Sequence, residues 1–133
     1  KKINFFTNFN KKNISIVIPT FNNPTYLNQF INQLNKFSNI KIIIYDNNST
    51  YEPMKELLNN LQSKYLVYKK NRNYGPEYVY QDEEFLRLLP HYFLLSDPDL
   101  QLNYNLPENF YEIFYAVTKY FKIGNARYIL FYK

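Results

Sequence analysis

Two carboxylates one residue apart, Asp97 and Asp99 with Pro98 between them, close the run His91-Tyr92-Phe93-Leu94-Leu95-Ser96. Two hard oxygen ligands side by side suit Mg2+ or Mn2+ and, through such an ion, a diphosphate. The apolar run before them has the pattern of a strand buried on both faces. That would put both charges at the strand's carboxyl end, where open α/β sheets hold their ligands. Three other polar clusters follow apolar runs in the same way: Thr20-Phe21-Asn22, Asp46-Asn47-Asn48 and Asn71-Arg72-Asn73. Their side chains can hydrogen-bond a base and a ribose, so a nucleotide and a metal-bound diphosphate fit one set of loops.

These clusters need elements that bring them together. Ile14 to Ile18 reads as a first buried strand stopped by Pro19, and Ile40 to Tyr45 as a second. Tyr65 to Tyr68 reads as a third, shorter strand, and the run ending at Ser96 as a fourth. Between the first two strands, Leu27, Phe30, Ile31 and Leu34 keep the spacing of one apolar helix face. Met54, Leu57, Leu58 and Leu61 do so again, with Ser49 and Glu52 at capping-box spacing. Residues 77–89 look helical but less cleanly patterned. Leu100 to Asn105 is expected to be extended, and Pro107 to begin a helix with Phe110, Ile113, Phe114, Val117 and Phe121 on its apolar face. A last strand is expected within residues 123–132, and residues 1–12 form an edge strand or an arm. Strand and helix alternate throughout, which predicts an α/β fold: a mostly parallel open sheet with helices on both faces. Right-handed crossovers then place all four polar clusters along one sheet edge.

Composition excludes much else. The 133 residues are expected to form one domain, and 20% aromatic content argues for a packed core. No cysteine is present, which removes disulfides, thiol nucleophiles and Cys-based zinc sites. The single His91, at the start of an expected strand, reads as structural. With only Gly75 and Gly124, neither a G-x-G-x-x-G loop nor a Walker A loop can be written. A net charge of +5, with no continuous basic stripe and no aromatic RNP-type motif, gives no expectation of nucleic-acid binding. No run of about 18 apolar residues and no secretory start is seen, so the chain is expected to be cytoplasmic with no transmembrane segment.

Four segments in order carry a resemblance to a known family: Ile16-Val17-Ile18-Pro19-Thr20-Phe21-Asn22, Ile43-Ile44-Tyr45-Asp46-Asn47-Asn48-Ser49, Asn71-Arg72-Asn73-Tyr74-Gly75 and Phe93-Leu94-Leu95-Ser96-Asp97-Pro98-Asp99. Together they resemble the family-2-like glycosyltransferases of GT-A fold, over roughly residues 14–103. The resemblance implies a Rossmann-like nucleotide-diphospho-sugar transferase fold and a donor of that class, a UDP-sugar first. It implies that Pro19 and Thr20 shape the loop under the base, with Asn22 in the same donor loop, and that Asp46 accepts a hydrogen bond from the base. Asn73 and Gly75 would lie near nucleotide and sugar. Asp97 would face the ribose or donor sugar, and Asp99 would ligate Mn2+ or Mg2+, Asp97 sharing that metal site. Arg72 would add positive charge beside the departing diphosphate. Plainer roles stand beside these: Asp46 as a helix cap, Asp97 as the cap of a turn at Pro98, Asn73 as a turn residue, Arg72 as a solvated charge.

After Asp99 the only carboxylates are Glu108 and Glu112, and neither reads as the base that would deprotonate an acceptor hydroxyl. The acceptor, whether glycan, protein or lipid, is not legible. A partner chain or a second copy completing the acceptor site, or a non-catalytic nucleotide-sugar-binding domain of the same fold, is the alternative to a complete transferase.

Overall fold

The structure is a computed structural model, described over residues 14–120. Four strands, β1 (Ile14–Thr20), β2 (Ile40–Asp46), β3 (Leu66–Lys69) and β4 (Phe93–Leu95), form one sheet in the order β3-β2-β1-β4. Every pairing in it is parallel. The order reverses between β1 and β4, and such a reversal opens a crevice at the carboxyl ends of the strands.

β1 and β2 are central and covered on both faces, which explains their near-continuous apolar sequences. Side chains alternate between the faces. Ile14, Ile16 and Ile18, Ile42 and Ile44, Val67 and Leu94 share one cluster with α1 (Pro24–Leu34), α2 (Glu52–Leu61) and α4 (Phe110–Tyr120). Val17, Ile43, Tyr45, Tyr68 and Leu95 form the other, closed by Val79 of a 3-10 turn (Tyr78–Tyr80) and Phe85 of the short helix α3 (Glu83–Leu86). Helical elements therefore lie on both faces. The expected stripe of α1 is fully in the core, and Phe30 is 0% exposed. Phe30→Ala should cost about 3–5 kcal/mol, read as a lower urea midpoint at unchanged slope.

Pro19 has a particular place in the ladder. Even-numbered residues of β1 address β2: the Ile14 amide donates to Asn39 O, and Thr20 O accepts from the Asn47 amide. Odd-numbered residues address β4, where the Ser96 amide donates to Val17 O. Pro19 stands one odd position beyond Val17, where the next donor toward β4 would lie, and proline has none. The ladder ends there, and the chain after Leu95 is released into the turn that carries Asp97 and Asp99.

Several expectations are corrected. Ser49 and Glu52 form no capping box: Tyr51 is the N-cap of α2, and the Ser49 hydroxyl is engaged by Asp46. Residues 77–89 are not one helix: the 3-10 turn ends at its C-cap Gln81, and Asp82 then caps α3 by accepting from the Phe85 amide. β3 runs one residue later than expected, and His91 is exposed ahead of β4. Residues 100–105 form no strand. The Gln33 side chain of α1 holds them instead, its Oε1 accepting from the Leu102 amide at 2.6 Å and its Nε2 donating to Leu100 O at 3.4 Å. α4 starts at Phe110 rather than Pro107. It buries Phe110, Tyr111 and Tyr115, while Ile113 and Val117 are exposed. The rings choose the face: Phe110 meets Phe37 edge-on at 5.2 Å, and the Tyr111 hydroxyl accepts from Asn39 Nδ2 at 3.2 Å. Phe121, the expected last strand and residues 1–12 lie outside the described residues.

Candidate functional site

The register sets two of the expected residues, Thr20 and Asp46, level with Lys69. Thr20 pairs with Asp46, and Asp46 with Lys69, so the carboxyl ends of β1, β2 and β3 finish in one row. By alternation all three side chains belong to the face covered by α1 and α2. Lys69 confirms this, its Nζ lying 3.5 Å from Asn59 Oδ1 of α2.

Asp46 is 3% exposed yet lines a cleft of about 270 Å³ at this row, together with Ser49, Lys55, Asn59 and Lys69. Its Oδ1 accepts from the Ser49 hydroxyl at 2.6 Å, and its Oδ2, among the described residues, accepts only from the Ser49 amide at 3.2 Å. A local turn thus fixes the carboxylate and leaves acceptor capacity on Oδ2. Asp46 does not cap α2. Thr20 is buried, and its Oγ1 has no hydrogen-bond partner among the described residues.

Asn22 and Asn48 both adopt positive φ, 51° and 63°, a region that asparagine tolerates better than most residues. This bends the β1 and β2 loops toward each other, and Asn22 ties them. Its Oδ1 accepts from the amides of Thr50 and Tyr51 at 2.8 and 2.9 Å, and its own amide donates to Ser49 Oγ. The Asn22 side chain is thus committed to holding the β2 loop. Asn47, absent from the expected set, is a second tie: its Nδ2 donates to Gly75 O at 3.1 Å. That contact docks the 71–76 loop on the end of β2. Within that loop Asn73 Oδ1 accepts from the Gly75 amide, and Gly75 sits at φ 92°. Arg72 lies over the Tyr74 ring, 4.3 Å from its centroid.

Asp97 and Asp99 are both exposed beyond β4, and no hydrogen bond or ion pair engages either carboxylate among the described residues. No group of three or more His, Cys, Asp or Glu side chains gathers among the described residues. Magnesium-type ions at nucleotide sites take one or two carboxylates and complete their shell with phosphates and water, so this pair fits such an ion. β2 and β4 are two strand positions apart, about 10 Å at ordinary spacing. That separation allows one end of a nucleotide at Asp46 and its phosphates near Asp97 and Asp99.

Behind the row, on the other face, lies a cluster that sequence reading missed. Asp82, 3% exposed, takes a salt bridge from Lys70 Nζ at 2.8 Å and a hydrogen bond from the Tyr45 hydroxyl at 2.7 Å, both on Oδ2. Lys70 Nζ also lies within 5.3–5.6 Å of the Tyr68, Tyr74 and Tyr78 ring centroids. Burial alone would raise Asp82, but the hydrogen bonds from Lys70, Tyr45 and the Phe85 amide outweigh it and hold the carboxyl below its ordinary value. Lys70 is raised, chiefly by its bond to Asp82 and against the effect of burial. Tyr45 is pushed far up, first by burial and then by Asp82. The cluster ties the ends of β2 and β3 to α3, so it stiffens the floor from which the Asp46 and 71–76 loops project. No local pattern links residues 45, 70 and 82, and the one available signal was an acidic residue inside an otherwise imperfect helical stretch.

No helix among the described residues is long and apolar enough to cross a membrane. A search of curated proteins finds no match to the chain. The family model described as Glycosyl transferase family 2 matches residues 15–129, a span that holds the carboxyl ends of all four described strands and the Asp97–Asp99 turn. With a parallel sheet whose order reverses between β1 and β4, the chain belongs to glycosyl transferase family 2.

Proposed function

We propose that this chain transfers a sugar from a nucleotide-diphospho-sugar, a UDP-sugar first, in a reaction that depends on a divalent ion. The observation that carries the reading is the placement of Asp46 and the Asp97–Asp99 turn on one sheet edge, either side of β1. Asp46 accepts a hydrogen bond from the base through Oδ2. Thr20 and Pro19 form the loop beneath it, and Asn22 holds that loop against residues 49–51. Asn73 and Gly75 border the ribose and sugar, with Asn47 fixing their distance from β2. Asp99, with Asp97 beside it, holds Mn2+ or Mg2+. The bound ion supplies charge neutralisation on the departing diphosphate. Arg72, at the tip of the 71–76 loop, adds a second positive charge there.

Titration calorimetry with UDP and GDP, with and without Mn2+, tests the reading. Metal-dependent binding is the expected result. Binding that is absent or indifferent to Mn2+ would overturn it. Release of UDP from a UDP-sugar, assayed on the same protein, then separates a transferase from a domain that only binds the donor.

A further inference from the structure

Lys69 completes the β1–β2–β3 row. It stands in register with Asp46 on the neighbouring strand, projects to the same face, and lines the same cleft. The other two lysines of that cleft are engaged, Lys55 with Glu52 at 2.7 Å and Lys70 with Asp82 at 2.8 Å. Lys69 forms no salt bridge among the described residues, and its contact with Asn59 is at the 3.5 Å limit of a hydrogen bond. An ammonium only donates, and a carboxylate only accepts. Side by side they complement an edge that presents an N–H next to an acceptor, which is what the pairing edge of a nucleobase carries.

Size and position agree. Complete small-molecule sites enclose about 300–1,000 Å³. The cleft of about 270 Å³ therefore takes one end of a ligand. β3 lies three strand positions from β4, about 14 Å, so this is the end remote from the Asp97–Asp99 turn.

We infer that Lys69 is a base-reading residue, donating to the acceptor beside the N–H that Asp46 takes. The assignment rests on the nucleotide-sugar reading above. A lysine at a sheet edge can also serve to discourage strand pairing with another chain. That role would be indifferent to ligand, which is what separates the two.

The test compares Lys69→Met and Lys69→Arg with the wild type by calorimetry, using UDP and inorganic pyrophosphate, each with Mn2+. The side chain is exposed, so unchanged melting curves are expected. Lys69→Met should bind UDP about 10- to 100-fold more weakly, the size of one charge-assisted hydrogen bond, with pyrophosphate unaffected. Lys69→Arg should recover part of the loss. Equal UDP binding by Lys69→Met and wild type would overturn the role of Lys69 and leave the donor reading standing. An equal loss for UDP and pyrophosphate would also overturn it, placing the lysine on the phosphates. A wild type that binds UDP no better than pyrophosphate would remove the nucleotide reading, and Lys69 with it.

Discussion

Asp99→Ala is expected to abolish Mn2+-dependent binding of UDP, with at least a ~100-fold loss of affinity. The physical reason is the thinness of the site's negative charge. Asp97 and Asp99 are exposed on a turn, with no further carboxylate near enough to form a group of three among the described residues. An ion held by two carboxylates and a diphosphate loses half of its protein ligands with one substitution, and such an ion contributes several kcal/mol of charge stabilisation. Each 1.4 kcal/mol is a factor of ten. Because the carboxylate supports no hydrogen bond or ion pair among the described residues, the melting temperature should stay where it is. Calorimetry with and without Mn2+ reads the first quantity, and a thermal melt the second. Retained metal-dependent binding in the variant would move the metal away from this turn. A large fall in melting temperature would show that Asp99 holds the fold.

Asp82→Ala should show the reverse: a large loss of stability at a residue that does not line the cleft. It removes the buried partner of Lys70, the acceptor for the Tyr45 hydroxyl and the N-cap of α3 together. Breaking one side of a buried ion pair costs about 3–5 kcal/mol. A domain of this size has only about 5–15 kcal/mol in all, so urea unfolding should shift well outside error. The pH dependence follows from the same groups. Asp82 is held below its ordinary value of 3.8, so its contribution is complete above that value and is lost as pH falls through the folded-state value. Lys70 is held above 10.5, so its contribution is complete below 10.5 and is lost only as pH rises through the folded-state value. Asp82→Asn should therefore flatten the acid limb of the stability curve. An unchanged acid limb would mean that other carboxylates set it.

The two substitutions probe opposite sides of one construction. Asp46 and Lys69 close β2 and β3 at the sheet edge, and the groups that anchor those strand ends lie one residue away in sequence. Tyr45 precedes Asp46, and Lys70 follows Lys69, so alternation sends each pair to opposite faces. Asp46 and Lys69 share the cleft face, while Tyr45 and Lys70 converge on Asp82 and anchor the strand ends.

The strands were legible because a parallel sheet covered on both faces requires unbroken apolar runs, and Ile14 to Ile18, Ile40 to Tyr45 and Phe93 to Leu95 are such runs. Placing Thr20, Asp46, Asn73 and Asp97 on one edge then required nothing beyond parallel pairing. α1 and α2 were legible from spacing alone, since each has one apolar stripe. α4 was not, because Ile113 and Val117 make a stripe as apolar as the one through Phe110, Tyr111 and Tyr115, and only contacts with Phe37 and Asn39 chose between them. Ser49 was assigned to the helix it precedes. In the fold its hydroxyl donates to the nearer carboxylate of Asp46, a local competition that spacing cannot rank.

Sequence by itself determined which polar residues stand at the carboxyl ends of the strands, because backbone periodicity and strand polarity are local properties. Tertiary structure alone decided what holds them. Gln33 reaches Leu102, Asn47 reaches Gly75, and Lys70 and Tyr45 converge on Asp82, all across gaps set by how the layers close. Hydrogen bonds between residues distant in the chain leave no period to read, and the need to satisfy every buried polar group is met only when the whole fold is present.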